Sequence, residues 1–361
     1  MNKKPSISVI VIDYKKNNPY LSECLDAIER QTYNNFEIIL ETDHPLNLKY
    51  PKLTIVNYGG KYISPANKRD HGAKIAKGEI LAFIDDDAYP DPHWLENIVP
   101  HFKNKNITGV GGPGITPPNV SWQEAASGWA SASPMGAGLY NYRFFHEKKQ
   151  FVDDYPSMNL SVRKKDFIDV GGYDSNFWPG EDTKLCLDLT HKLRKKIIYD
   201  PKAVVFHHRR PLWWPHLKQN GGFGLHRGFF AKILPATSLR PIYFLPSLML
   251  LGLVYILATS TLSFRARPGI YINFLNTLGS YAFAIYFLAL LLNAIWIYSV
   301  IARSLTSSLR VALGDRSNLR QTRIASAIFQ SAISIPAIFL THLWYGIKFI
   351  QGYLFTVKLK R

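Results

Sequence analysis

The chain has 361 residues, of which 47% are hydrophobic, and a formal net charge of +17 at pH 7. Its two cysteines, Cys24 and Cys186, lack the spacing of metal ligands, which excludes a cysteine-based metal centre; we expect both to be core residues in a reducing compartment. The charge is uneven, because residues 203–361 hold seventeen Lys or Arg against one acidic residue, Asp315. Such a basic part binds either nucleic acid or an anionic membrane surface.

The first part of the chain alternates short β-branched runs with helical patterns. Strands are predicted at residues 7–12, 36–40, 53–57 and 79–84, with helices at 22–30 and 66–77. Strands and helices that alternate at this spacing predict an α/β fold with parallel strand pairing. Ligands of such sheets bind beyond the carboxyl ends of the strands, where Tyr14, Asp43 and the triplet at 85–87 stand.

An aspartate triplet, Asp85, Asp86 and Asp87, directly follows the apolar run at 80–84. Carboxylates at this spacing repel one another unless a cation lies between them, and a divalent metal held by carboxylate oxygens is the usual arrangement. A metal at this strand end can also hold a diphosphate. The alternative interpretation is a solvated acidic turn, which the prolines in residues 87–92 also allow.

A second acidic pair, Glu181 and Asp182, follows Trp178-Pro179-Gly180 and precedes an amphipathic helical pattern. An acid in the first turn of a helix often accepts hydrogen bonds from free backbone N–H groups, and this is one interpretation of Asp182. The aspartate triplet adds another. One carboxylate cluster can bind metal and diphosphate while the other supplies a general base.

Residues 207–227 combine histidine, arginine and tryptophan ahead of the first long apolar segment. This composition is typical of an interfacial collar beside anionic headgroups, and it also suits an acceptor that carries a phosphate. His207 and His208 have a further interpretation as metal ligands or diphosphate contacts, since histidine often has these roles near carboxylates.

Three apolar segments follow, at residues 243–263, 278–301 and 324–347, and none contains Lys, Arg, Asp or Glu. Each is long enough to cross about 30 Å of hydrocarbon, which needs about 20 residues. We therefore predict about three transmembrane helices in a C-terminal region, 228–361, after a domain at 1–227. Attachment to a membrane accounts for the basic charge, so no nucleic-acid partner is expected.

The predicted orientation places the N-terminal domain in the cytoplasm, because residues 1–5 contain no apolar signal segment. Basic residues before the first apolar segment and between the second and third, among them Arg316, place both stretches on the cytoplasmic side by the positive-inside rule. The basic tail then falls on the opposite side for three crossings. We expect a multi-pass protein of the cytoplasmic membrane. Three explanations of the basic tail stay open: the positive-inside rule is overridden, one apolar segment is re-entrant, or one crossing is split.

Six short motifs in chain order carry a family resemblance. They lie at residues 8–14, 31–39, 76–79, 85–87, 159–163 together with 170–174, and 180–182. Over about residues 5 to 210 the chain resembles glycosyltransferase family 2. The resemblance implies a GT-A fold with a mainly parallel sheet, followed here by a C-terminal α-helical transmembrane region. It also implies an inverting transfer from a nucleotide-diphosphate sugar, and the membrane part resembles members that build lipid-linked or exported polysaccharides.

Carried over by position, the resemblance assigns roles at the donor site. Tyr14 would pack on the nucleobase and Asp43 would accept a hydrogen bond from a ring N–H. Asp85 and Asp87 match the family's Asp-x-Asp motif, so that Asp87 would coordinate Mg or Mn, with Asp85 reaching the ribose or the metal shell. Arg69 would steady the diphosphate.

The resemblance also assigns the acceptor side, where Asp182 matches the catalytic base and Glu181 is a candidate for substrate binding. The chain departs from the family at several positions. His44 and Pro45 follow Asp43 where Gly-Ser is common, and Asp70 stands where Asn is usual. The Gln-x-x-Arg-Trp element of processive synthases is not matched either, which favours transfer of a single sugar.

We therefore expect an inverting glycosyltransferase that moves one sugar, with a UDP-sugar as the expected donor, to a lipid-linked or polysaccharide acceptor at the cytoplasmic membrane face. The first alternative is a processive polysaccharide synthase, which would give a ladder of products. The second is a transporter component with a nucleotide-sensing domain. Ionisable residues inside the membrane would favour the transporter, and the three apolar segments offer only His342.

Overall fold

The computed structural model describes residues 5–263, 270–310 and 317–359. By its internal contacts the chain divides into two compact units. Of the described residues, the sheet unit comprises 5–117, 142–208 and 358–359, and the helical unit comprises 118–141 and those between 209 and 357. The domain division predicted at residue 227 stays a prediction.

Strands and helices alternate through the sheet unit, whereas the helical unit contains long helices. The strands are β1 (Ile7–Asp13), β2 (Phe36–Thr42), β3 (Leu53–Asn57), β4 (Ile80–Asp85), β5 (Ala88–Pro90), β6 (Ile107–Gly111), β7 (Gly114–Ile115), β8 (Gln150–Val152), β9 (Asn159–Arg163), β10 (Lys196–Tyr199) and β11 (Val205–His207). The α-helices are α1 (Leu21–Glu29), α2 (Pro65–Ile75), α3 (Trp94–Ile98), α4 (Trp122–Ala132), α5 (Pro134–Ala137), α6 (Lys164–Val170), α7 (Glu181–Leu187), α8 (Trp214–Ile233), α9 (Pro235–Ser238), α10 (Pro241–Ser263), α11 (Ile270–Arg310) and α12 (Ser317–Ile350).

The main sheet has eight strands in the order β3-β2-β1-β4-β9-β6-β10-β8. Neighbouring strands run parallel except at β9, which is antiparallel to β4 and β6, and at β8, which is antiparallel to β10. A second sheet contains β5, β11 and β7. The four predicted strands correspond to β1 to β4. The prediction of a mainly parallel sheet in an α/β fold is confirmed.

Strand β1 is buried along its whole length, and its β-branched run from Val9 to Ile12 suits a parallel sheet that is covered on both faces. Gly78 makes the close approach of β4 to β1 possible, because a Cβ atom at this position would clash with the backbone of Ser8. The Gly78 N–H donates to Ser8 Oγ over 2.8 Å. This packing sets the register in which Ile12 stands beside Asp85.

Helix α2 lies against β1. It begins at the N-cap Ser64, whose Oγ accepts from the Asn67 N–H over 3.3 Å, and Pro65 occupies the first turn. Gly72 keeps the helix close to the sheet, since a Cβ there would lie 2.9 Å from Ile10 Cγ2. The helix therefore brings its buried basic residues to the carboxyl edge of the parallel strands.

Asp200 joins the end of β10 to neighbouring segments of the sheet unit. Its Oδ2 lies 2.6 Å from His101 Nε2 and 2.9 Å from Lys149 Nζ. Burial alone would raise the pKa of Asp200, but the hydrogen bonds from these two side chains hold it well below its ordinary value. Asp200 therefore stays charged, and its role is to hold these segments of the sheet unit together.

The helical unit has an apolar core to which α4 contributes, formed by Ala126, Ala130, Leu212, Leu290, Ala337 and Ile338. Helix α8 packs closely on α12 and on the π-helical turn after it through glycines. A Cβ at Gly228 would clash with the backbone carbonyl of Phe349, whereas a Cβ at Gly222 would meet no atom within 4 Å. Small residues at such contacts let helix backbones approach one another.

The three apolar segments form parts of α10, α11 and α12, as predicted. The stretches Pro241–Thr259, Leu275–Arg303 and Ile324–Phe355 are long and apolar enough to cross a membrane. The prediction of helices of this kind is confirmed. The predicted loop residue Arg316 lies outside the described residues, and the orientation stays a prediction.

Candidate active site

The carboxyl ends of β1 and β4 bring acidic side chains together. Ile12 pairs with Asp85 in the sheet register, so Asp13 and the triplet stand at the same edge. Asn18 connects the two strand ends, because its Nδ2 donates to Asp13 Oδ1 over 3.2 Å and to Asp86 Oδ2 over 2.6 Å. Burial, the charge of Asp87 and a hydrogen bond with Asp13 raise the pKa of Asp86 to about 9.

The other two aspartates of the triplet form a metal-binding arrangement with His207. One ligand atom from each of Asp85, Asp87 and His207 lies within 4.8 Å of the others. His207 Nε2 is 3.1 Å from Asp87 Oδ1. The pairing of β11 with β5 causes this contact, because His207 stands opposite Ala88, the residue after Asp87. Two carboxylates and an imidazole are a donor set that fits a divalent transition ion.

Arg69 links the aspartate triplet to the second acidic pair. Its Nη2 donates to Asp85 Oδ1 over 2.9 Å and its Nη1 donates to Glu181 Oε1 over 2.8 Å. Burial opposes the charge of this guanidinium, but the carboxylates of Asp85 and Glu181 raise the pKa of Arg69 above its ordinary value. Two carboxylates that are far apart in sequence are thus held on one planar fork.

Glu181 and Asp182 occupy the first turn of α7. The carboxylate of Glu181 is buried, and both of its oxygens are hydrogen-bonded. Oε1 accepts from Arg69, and Oε2 accepts from the Gly180 N–H over 2.9 Å. Asp182 is partly exposed, and its Oδ1 accepts from the Thr183 N–H over 2.8 Å. The helix start thus buries one carboxylate and leaves its neighbour accessible to solvent.

The predicted nucleobase contacts lie at the ends of β1 and β2. Tyr14 is 45% exposed, so one face of its ring is accessible to a ligand. Asp43 is buried, and its Oδ1 lies 2.9 Å from Lys68 Nζ and accepts from the Ile63 N–H over 3.2 Å. The roles predicted for Tyr14, Asp43, Arg69, Glu181 and Asp182 stay predictions.

Sequence reasoning missed Lys68 and Asn18. Lys68 is 1% exposed and donates to the Asp13 carbonyl oxygen over 2.5 Å, besides its ion pair with Asp43. A lysine before an arginine in a polar helix is usually solvent-exposed, so the sequence offered no signal for its burial. Asn18 follows β1 in a turn-like sequence, where an asparagine usually serves the turn itself.

Comparison with known proteins relates part of this site to a known family. The sequence profile described as "Glycosyl transferase family 2" matches residues 8–170. This range includes Tyr14, Asp43, Arg69 and the aspartate triplet, whereas Glu181, Asp182 and His207 lie beyond it.

Two curated relatives are similar over part of their length. The glucosyl-dolichyl phosphate glucuronosyltransferase of Haloferax volcanii is 23% identical over 225 residues, which cover 56% of this chain and 68% of that protein. The pre-mycofactocin glycosyltransferase of Mycobacterium tuberculosis is 29% identical over 147 residues, which cover 40% of this chain and 30% of that protein.

Among solved structures, the mannosyltransferase PcManGT from Pyrobaculum calidifontis, in complex with GDP-Man and Mn2+, is 15% identical with a TM-score of 0.49. That alignment covers 92% of this chain and 87% of the mannosyltransferase. The family resemblance predicted from the six motifs is confirmed by the profile. Residues 8–170 of this chain therefore match the profile of glycosyl transferase family 2.

Proposed function

We propose that the chain is a metal-dependent inverting glycosyltransferase. It moves one sugar from a nucleotide-diphosphate sugar, with UDP as the expected nucleotide, to a lipid-linked or polysaccharide acceptor at the cytoplasmic face of the membrane. The observation that carries this proposal is the pair of hydrogen bonds from the Arg69 guanidinium group. One goes to Asp85 of the metal-binding group and the other to Glu181, the neighbour of Asp182. These two hydrogen bonds support the proposal that the metal-binding carboxylates and the candidate base belong to one site.

Asp85, Asp87 and His207 would hold the divalent cation. An imidazole ligand suits Mn better than Mg, because Mg prefers oxygen ligands. When bound, the cation offsets the negative charge that accumulates on the departing diphosphate, and so it stabilises the transition state more than the ground state. Arg69 fixes the orientation of the Asp85 carboxylate and is retained as a proposed contact of the diphosphate.

Asp182 is proposed as the general base. It accepts the proton of the acceptor hydroxyl while the hydroxyl oxygen bonds to the anomeric carbon and the bond from that carbon to the phosphate oxygen breaks. Its partial exposure supports this role, because an acceptor must reach the carboxylate. The neighbouring Glu181 has its carboxylate on Arg69 and the Gly180 N–H, which favours a role in positioning the site.

The nucleoside is proposed to lie beyond β1 and β2. The exposed ring of Tyr14 offers an apolar face to the base. Lys68 holds the Asp43 carboxylate at the strand end. Asp43 then accepts a hydrogen bond from a ring N–H of the base.

A membrane-bound acceptor is supported by the three helices that are long and apolar enough to cross a bilayer. It is also supported by the Haloferax relative, whose name states that its substrate is a glucosyl-dolichyl phosphate. A processive synthase would give a ladder of products, so the number of sugars added distinguishes it from the single transfer proposed.

The test is nucleotide release by the detergent-solubilised full chain from UDP-, GDP- and TDP-sugars, with Mn or Mg, with chelator, and with an extract of polyprenyl phosphates and their sugar-linked forms as acceptor. Release from one donor that needs both metal and extract supports the proposal. Asp182→Asn should lower transfer by about 100-fold or more and keep nucleotide binding. Asp169→Asn, a matched control in an exposed pair with Lys165, should transfer normally. Normal transfer by Asp182→Asn would show that the base is another group.

A further inference from the structure

We propose that the helical unit contains a binding subsite for the phosphate headgroup of a lipid. It is formed by Tyr140, Arg227, Ser238, Arg240 and Tyr243, which we name the arginine–tyrosine cluster. The inference rests on the proposed function, because the ligand is the phosphate of the acceptor lipid.

The cluster joins two guanidinium groups through two aromatic rings. Arg240 Nη1 donates to the Tyr140 hydroxyl over 2.9 Å, and Arg227 Nη1 donates to Ser238 Oγ over 3.1 Å. The guanidinium carbon of Arg227 is 5.1 Å from the centre of the Tyr243 ring. The Tyr140 and Tyr243 rings stack with centroids 5.5 Å apart and planes 9° apart. Both arginines are thus held in fixed orientations, each partly buried and partly exposed.

A polar group beside the cluster supports a ligand. The hydroxyl oxygen of Tyr345 is buried and makes no hydrogen bond in the described part of the chain. The ring of Tyr345 lies against Gly224, one helical turn before Arg227, since a Cβ at Gly224 would be 3.2 Å from Tyr345 Cγ. A buried hydroxyl group without a partner is costly, and a phosphate oxygen would accept its hydrogen bond.

The cluster lies where a lipid headgroup is expected. Arg240 directly precedes Pro241, the first residue of an apolar stretch long enough to cross a membrane. The ends of such helices lie at the headgroup layer, where tyrosine and arginine are both favoured. The arginine fork matches the oxygens of a phosphate group in geometry as well as in charge.

Charge decides between two kinds of lipid phosphate. The sequence of the helical unit contains only two acidic residues, Glu124 and Asp315, so the field around the cluster is positive. Two guanidinium groups match the two negative charges of a phosphate monoester, or of a lipid diphosphate that carries a sugar with a free hydroxyl, better than the single charge of a phospholipid diester. The ligand is therefore a phosphorylated lipid acceptor, and a bulk phospholipid is the competing occupant that the experiment must separate.

The test is binding of radiolabelled phytanyl phosphate, a long-chain isoprenoid phosphate monoester, to the full chain in nanodiscs of neutral phosphatidylcholine. Arg227→Gln and Arg240→Gln should each weaken binding by about ten-fold or more, as expected for a lost charge-assisted hydrogen bond. Arg227→Lys and Arg240→Lys, which keep the charge without the fork, should lose less. Arg303→Gln is the control, because Arg303 also stands at the end of an apolar stretch, and it donates to Ser299. It should bind like the unaltered protein.

Competition identifies the source of the phosphate. Phosphatidylglycerol and inorganic phosphate, each at the concentration of the probe, should leave the phytanyl phosphate bound. Displacement by phosphatidylglycerol would identify an interfacial anchor, and displacement by inorganic phosphate would identify a site for free phosphate. Either result overturns the proposal, as does normal binding by Arg227→Gln and Arg240→Gln.

A separate readout distinguishes this proposal from the proposed function. Metal-dependent hydrolysis of the donor without any lipid acceptor should be unchanged in Arg227→Gln and Arg240→Gln, which also shows that these variants fold. Lipid binding that depends on both arginines in a protein without donor turnover would support the subsite and refute the transferase.

Discussion

Replacing Arg69 by methionine removes the guanidinium that joins Asp85 to Glu181. The two hydrogen bonds are 2.9 and 2.8 Å long, and the Arg69 and Glu181 side chains are 8% and 7% exposed. A hydrogen bond between charged groups contributes about 1.5–3 kcal/mol, so two contribute about 3–6 kcal/mol. Asp85 is 29% exposed, and water replaces part of its lost bond. We therefore expect the free energy of unfolding to fall by about 3–5 kcal/mol.

The assay is urea denaturation of the detergent-solubilised chain followed by tryptophan fluorescence. Most of the loss comes from the carboxylate left without its partner, so adding Glu181→Gln to Arg69→Met should recover about half of it. Lys165→Met, which breaks an exposed ion pair with Asp169, is the control and should leave the midpoint unchanged. The reasoning is refuted if Arg69→Met behaves like this control, or if Glu181→Gln lowers stability further in the Arg69→Met background.

Three other variants test separate parts of the structure. His207→Gln should weaken Mn affinity by about ten-fold or more in isothermal calorimetry with the nucleotide present, because a ligand is lost; His208→Gln is the matched control, and equal losses in both would argue against the assigned ligand. Asp200→Asn should lower the urea midpoint at pH 7, since the native pKa of Asp200 is depressed and its stabilisation is present above its ordinary value of 3.8. The difference from the unaltered protein should shrink as the pH falls below that value, and a constant difference would contradict the pKa argument. Gly228→Ala should destabilise the helical unit by about 1–3 kcal/mol through its clash with a facing carbonyl, whereas Gly222→Ala, in open space, should be neutral or stabilising in the same thermal unfolding measurement.

Much of the sheet unit could be predicted because local pattern and tertiary structure agree there. The β-branched runs became β1 to β4, and the acidic residues after them lie at one sheet edge because the strands are parallel. The antiparallel β9 was not predicted, since strand direction depends on pairing between distant segments. The sequence likewise does not decide whether His207 belongs to an interfacial collar or contacts a metal or diphosphate, because its position depends on strand pairing. Only the pairing of β11 with β5 brings it to Asp87.

The burial of Lys68 and the forked role of Arg69 also depend on tertiary packing. In the sequence the two are neighbouring basic residues of a polar helix, and only the family resemblance singles out Arg69. Packing of α2 on β1 decides that Lys68 meets Asp43 while Arg69 meets Asp85. Residues 118–141 likewise carried no sign that they group with the later helices, because the apolar face of α4 would fit either unit.

That grouping has a practical consequence for making a water-soluble catalytic fragment. Cutting the chain after residue 208 would remove Leu212, Leu290 and Ala337 while retaining α4, whose Ala126 and Ala130 pack against them. The fragment would then expose the apolar face of α4 to water and aggregate. A soluble version therefore needs two edits, the C-terminal cut and replacement of residues 118–141 by a short polar linker.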